Sequence, residues 1–183
     1  MSGSPDLRAM TEADLLPILY VPDTRLRAKA KPVQPADPRI PALAEKMLAT
    51  MYKAPGIGLA APQVGELLRL VVVDIRPGDK PEPIVMVNPE IIAASKELAT
   101  REEGCLSLPN QFAEVTRPAV VKVRWTDLAG ARQEREADGL LSACFQHELD
   151  HLDGVLFVDH LSALKRNMIL RKLAKELKAQ QRE

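Results

Sequence analysis

His147 and His151 flank Glu148 in the run Gln146-His147-Glu148-Leu149-Asp150-His151, which reads H-E-x-x-H. Residues four apart share one face of a helix, so two imidazoles can be aimed at one metal ion. Glu148 lies beside the first of them, where a carboxylate can take a proton from water activated by that ion. The competing explanation is an amphipathic helix with chance histidines, but the chain has only three, and two stand at this spacing around a glutamate. A catalytic divalent ion wants a third protein ligand and one open position. The common zinc-protease continuation puts a third histidine six residues after His151, where this chain has Phe157. The other protease solution, a glutamate one helix further on, leaves only Glu176, set among lysines. Cys105, in Glu103-Gly104-Cys105-Leu106-Ser107, is the better candidate, because a thiolate is a strong soft ligand for iron, zinc or nickel.

These side chains need a helix and a loop to bring them together. Leu140, Cys144, His147 and His151 form one helical stripe, and Leu141, Phe145, Leu149 and Leu152 a neighbouring one. With Asp138 as N-cap and Gly154 as stop, a helix is predicted over residues 139–152. Cys144 then reads as a small core residue, with a place in a substrate pocket as the second reading. Upstream, Asp37 should cap a helix running to about Lys53, with Leu43, Met47, Leu48 and Met51 on its buried face. Residues 69–75, 84–87 and 119–126 read as strands; residues 90–94 continue or follow the second. Residues 127–131 read as a hairpin turn into a strand over 133–137. Residues 95–103 are polar and read as a lead-in to Cys105. A last helix is predicted from about Leu161, its apolar positions Leu161, Leu164, Met168, Leu170 and Leu173 in the first half. Its second half carries Lys172, Lys175, Lys178 and Arg182, a solvated face or, as the second reading, a contact with RNA.

At 183 residues and 46% hydrophobic composition, one domain with a real core is expected. Residues 1–11 are polar, with Ser, Gly and Pro, and are expected to be a flexible segment ahead of a single catalytic domain over residues 12–183. The zero formal charge argues neither for nor against nucleic acid. No apolar run approaches the length of a membrane span, and the N-terminus lacks the apolar stretch of a signal peptide. With a thiol beside H-E-x-x-H, this favours reduced cysteines in a cytoplasm. The run Gly56-Ile57-Gly58-Leu59-Ala60-Ala61 superficially matches a dinucleotide-binding turn. That turn needs a strand before it and a helix after it, and the predicted order here is the reverse.

Three segments now stand in order: Gly56–Gln63, Glu103–Ser107 and His147–His151. They match G-x-G-x-A-A-x-Q, E-G-C-x-S and H-E-x-x-H without a mismatch at the defining positions, and the chain resembles the peptide deformylase family. The likeness extends to Pro22-Asp23, Arg117-Pro118 and Glu136–Leu140, nearly the whole chain after residue 11. It implies an α+β fold, antiparallel sheets packed around a central metal-binding helix, with a C-terminal helix. The implied reaction removes the formyl group from N-formylmethionine at the start of nascent chains and releases formate. Carried over by position, Cys105, His147 and His151 are the metal ligands and Glu148 the general acid/base. Gln63 and the Leu106 N–H face the developing oxyanion, and Gly58 presents backbone to the peptide. The implied ion is Fe(II) in the cell, with Zn(II) or Ni(II) as alternatives. Ile57, Leu140, Ala143 and Cys144 flank the ligand-bearing elements and are the candidates for a methionine pocket. Glu103 and Arg117 are expected to pair and hold the Cys105 segment. The implied protein is a bacterial cytoplasmic monomer whose basic last helix is a candidate ribosome contact. The main rival is an H-E-x-x-H metallopeptidase; a non-catalytic metal- or ribosome-binding module and a Cys105 nucleophile are weaker ones.

Overall fold

The computed structural model describes residues 14–183. The expected flexible segment, residues 1–11, lies outside the described residues. The first helix, α1 (Ile40–Lys53), is followed by strands β1 (Gly58–Ala60), β2 (Leu70–Val73), β3 (Ile84–Ala94), β4 (Leu98–Cys105), β5 (Leu108–Pro118), β6 (Val121–Thr126) and β7 (Arg132–Ala137). Helices α2 (Gly139–Leu152) and α3 (Ala163–Gln180) complete the chain. The strands form a five-stranded antiparallel sheet, β1-β2-β3-β6-β7, and a separate two-stranded hairpin, β4-β5. The fold is α+β, with antiparallel sheets and a C-terminal helix.

The apolar run Leu70–Val73 is continuous because β2 is covered on both faces. Leu70 and Val72 pack with Leu48 and Met51 of α1. Val71 and Val73 face the other way, into a cluster with Val121, Val123, Trp125 and the Leu141, Phe145, Leu149 and Leu152 stripe of α2. α2 keeps the predicted bounds, and ten of its residues are buried. Asp138 takes the N-cap position, but its side chain makes no capping bond. Gly154 does end the helix: its φ is +74°, and a Cβ there would stand 2.4 Å from the Arg27 carbonyl oxygen.

Several expectations are corrected. Asp37 does not cap α1 directly; its carboxylate accepts from the Arg39 N–H, and Arg39 is the N-cap residue. Residues 84–94 are one strand, bent by an irregularity at Asn88, where φ is +50°. The Asn88 side chain offsets the broken ladder by accepting from Val33 N–H at 2.7 Å and donating to Val33 C=O at 3.0 Å. Residues 98–105, read as polar lead-in, form β4, which pairs with β5 from Leu98–Pro118 to Glu103–Ala113 without a break in register. Its residues from Leu98 to Glu102 are exposed, so no apolar alternation marks the strand. α3 starts two residues later than expected because Ser162 caps it, accepting from Lys165 N–H. Of its expected apolar positions, Leu164 and Met168 are exposed, whereas Leu170 and Leu173, joined by Ile169 and Leu177, pack on the hairpin side against Leu108 and Val115. No helix among the described residues is long and apolar enough to cross a membrane.

Candidate active site

Helix α2 presents His147 and His151 one turn apart, with ring centroids 5.1 Å from each other. β4 brings Cys105 to them at its last residue, where the hairpin register shifts between Gly104 and Cys105. Cys105 Sγ lies 3.4 Å from His151 Nε2, and one donor atom from each of Cys105, His147 and His151 falls within 4.8 Å of the other two. Tetrahedral donors at metal–ligand distance stand roughly 3.5 Å apart, so one ion fits this set with small adjustments. Phe157, at the position where a protease would carry its third histidine, stacks on the His147 ring instead, centroids 6.2 Å apart. Glu176 is bonded to Gln111 and takes no part in the cluster.

The protonation state of each imidazole follows from its surroundings. Burial and the charge of His147 hold the His151 pKa well below its ordinary value, which keeps it as the neutral ring a metal needs. His147 Nδ1 lies 3.0 Å from Glu103 Oε1, which leaves its Nε2 for the donor cluster. Burial disfavours a charged His147, but bonds with Cys105 and Glu103 outweigh this and raise its pKa. A cation binding there must displace a proton.

Glu103 is itself clamped. Arg117 donates to it twice, Nε to Oε2 at 2.7 Å and Nη2 to Oε1 at 2.9 Å. Burial works to raise the Glu103 pKa, but His147 and Arg117 hold it at about 2. The expected Glu103–Arg117 pair is therefore present, and it reaches further than expected. Arg117 Nη1 also donates to Asp150 Oδ2 at 2.9 Å, and that oxygen lies 2.8 Å from His160 Nε2.

Glu148 is buried, with Oε1 4.0 Å from His147 Nε2 and no hydrogen-bond partner for Oε2 among the described residues. Burial pushes its pKa up to about 7. A dication at the donor cluster would pull in the opposite direction. Gln63, buried in the 3-10 turn Ala61–Val64, accepts from Ala60 N–H through Oε1. Its Nε2 is 3.1 Å from Ser107 Oγ and 3.6 Å from Cys105 Sγ. Ser107 thus supports the Gln63 side chain.

Cys105, His147 and Glu148 open onto a cleft of about 680 Å³, whereas Gln63 and His151 are not among its lining residues. All five residues expected to meet substrate, Ile57, Gly58, Leu140, Ala143 and Cys144, line it, and so does Leu106. The Ile57 carbonyl accepts from Asp74 N–H at 2.8 Å, which pins the glycine loop to β2. Burial raises the Cys144 pKa, so it is a neutral thiol in the cleft wall as well as a core residue. Sequence reasoning missed Tyr20, Arg101 and Phe112 in the lining. Arg101 precedes Glu103 by two on β4 and would have been found had that strand been recognised. Phe112 pairs with Gly104 across the hairpin, and no signal in the sequence marks it.

Two imidazoles and a thiol around one point, open to a cleft and beside an unpartnered carboxylate, are the equipment of a metal-dependent hydrolase. A family model described as polypeptide deformylase matches residues 15–167. A peptide deformylase of Rhodopseudomonas palustris is 54% identical over 88% of this chain and 94% of its own, and one of Mesorhizobium japonicum is 52% identical over 87% and 91%. The crystal structure of a peptide deformylase from Legionella pneumophila superposes with a TM-score of 0.86 at 50% identity, covering 92% of this chain and 99% of that one. A peptide deformylase of Synechococcus elongatus, solved in complex with actinonin, gives 0.81 at 44% identity over 86% of each chain. The chain belongs to the polypeptide deformylase family. It is a metal-dependent hydrolase that removes the N-formyl group from nascent peptides.

Proposed function

We propose that Cys105 Sγ, His147 Nε2 and His151 Nε2 hold one divalent ion, and that Glu148 is the general acid/base of deformylation. The observation that carries this reading is the convergence of the three donors within 4.8 Å with Glu148 alongside. One thiolate and two imidazoles suit iron, zinc or nickel; the family resemblance favours Fe(II) in the cell, with Zn(II) or Ni(II) as alternatives. When bound, the ion polarises the formyl carbonyl and makes the attacking water more acidic. Glu148 takes the proton of that water, and its buried, unpartnered oxygen makes it a better base than a solvated carboxylate. Charge then grows on the formyl oxygen, where Gln63 Nε2 and the Leu106 N–H donate to it. Losing one such donor typically costs ~3 kcal/mol. Glu148 finally returns the proton to the departing nitrogen, and formate and a methionyl amine leave.

Gly58 offers backbone to the peptide because no side chain fits there: a Cβ would stand 2.7 Å from Glu148 Oε1. The same crowding excludes the methyl of an acetyl group, since a methyl alone is worth only ~1 kcal/mol by burial. Ile57, Leu140, Ala143 and Cys144 form the methionine pocket. Residues 12–183 act as one catalytic domain and a monomer, with α2 as the metal-bearing helix at the centre of the packed sheets. Two free cysteines fit a cytoplasm, and the exposed Lys172, Lys175, Lys178 and Arg182 fit a ribosomal contact. The test is formate release from a formyl-Met tripeptide by metal-loaded wild type and Glu148→Gln. The variant keeps its ion and loses turnover by about 10²–10⁴-fold. Unchanged turnover would remove Glu148 from the chemistry, and internal cleavage of an unformylated peptide would mark a peptidase instead.

A further inference from the structure

A second groove, of about 540 Å³, lies between the β4-β5 hairpin and α3. It is lined by Asn110, Gln111 and Phe112 on the hairpin and by Met168, Arg171 and Lys172 on the helix. Asn110, Gln111 and Phe112 also line the active-site cleft, so the two depressions adjoin at this segment. We infer that the groove is an exosite for the downstream residues of the nascent peptide whose formyl end occupies the cleft. This rests on the reading of the cleft as the substrate site.

Exposure and charge define the occupant. Phe112 and Met168 are each 61% exposed, an aromatic face and an adaptable thioether side by side with nothing of this chain covering them among the described residues. Gln111 is held in place, donating to Glu176 Oε2 at 2.8 Å, and Lys172 Nζ lies 3.9 Å from Glu176 Oε1. Glu176 therefore offsets Lys172, while Arg171 has no ion-pair partner among the described residues. The groove thus fits an extended segment with an apolar side chain over Phe112 and Met168 and an acidic one near Arg171. Reach is compatible: Phe112 pairs with Gly104, next to Cys105, and hairpin strands lie ~4.8 Å apart. At ~3.3 Å per residue, a peptide anchored beside Cys105 meets Phe112 within about three residues and the Met168 side within about three more. Such contacts with sequence-tolerant apolar surface would help an enzyme that must accept many different chains.

The test compares a formyl-Met tripeptide with a nine-residue formyl-Met peptide carrying leucine and glutamate at residues five to seven, both free in solution. Wild type should show a KM about fivefold lower for the long peptide with kcat unchanged, the scale of partly burying one or two side chains. Met168→Asp and Arg171→Glu should each raise the KM of the long peptide towards that of the tripeptide and leave tripeptide kinetics alone. Leu164→Asp, on the same helix but outside the groove, should change neither. Equal KM values for the two peptides in wild type, or a long-peptide advantage that survives both groove substitutions, would overturn the exosite. Failure of wild type to turn over the tripeptide would instead strike the cleft assignment, and the exosite with it.

Discussion

Glu103 Oε1 stands 3.0 Å from His147 Nδ1, so the strand that delivers one proposed metal donor also orients another. Glu103 and Cys105 are two apart at the end of β4, and both reach α2, Glu103 at His147 and Cys105 at His151. Arg117, on β5 four residues beyond the position opposite Glu103, fixes the carboxylate with two bonds. The hairpin is thereby both ligand carrier and support.

Glu103→Gln should keep the fold and lower metal affinity by about 10–100-fold, because an amide orients the His147 ring less firmly. Competition with a chelator at fixed pH reads this; unchanged affinity would mean that Glu103 does not act through His147. Arg117→Met should be worse for the fold, since it takes the guanidinium and its two bonds from the buried Glu103 carboxylate. Losing one partner of a buried pair typically costs ~3–5 kcal/mol, measurable as a lower urea midpoint.

Gly58→Ala tests the close approach of β1 to the site. The added Cβ would lie 2.7 Å from Glu148 Oε1 and 2.9 Å from Cys144 Sγ, and α2 is too well packed to retreat. Overpacking of this kind costs about 1–3 kcal/mol. Because the displaced atoms include the proposed base, turnover on a formyl-Met tripeptide should fall further than stability does. A variant with wild-type kcat would show that Glu148 tolerates displacement.

The sequence carried most of the candidate site and rather less of the scaffold. His147, His151 and Glu148 could be read from spacing alone, because helical period and ligand chemistry coincide there. β2 was legible as an unbroken apolar run. β4 was not, because a strand exposed from Leu98 to Glu102 shows no period-two pattern and is specified by its partner strand. With it went Arg101 of the cleft wall. In α3, Leu164 and Met168 look like core residues by type, but the buried stripe runs through Ile169, Leu170, Leu173 and Leu177. Which face of a helix is covered depends on what packs on it, here the hairpin that was missed.

Asp159 offers a pH test away from the metal donors. Burial alone would raise its pKa, but hydrogen bonds from Arg27 and from Leu156 N–H outweigh that and hold it below the usual carboxylate range. A depressed folded-state pKa means stability that is fully present above the unfolded value, near ~4, and lost as pH falls through the folded value. Asp159→Asn should therefore be less stable than wild type in urea at neutral pH, with the gap closing in acid. A gap that stays constant down to about pH 3 would show that the ionised carboxylate contributes nothing.

The most direct measurement is metal content after anaerobic purification, with circular dichroism as the control for folding. Wild type should hold about one divalent ion per chain, and Cys105→Ala and His151→Ala should hold almost none while keeping the native spectrum. A full complement of metal in folded Cys105→Ala would contradict the proposed ligand set.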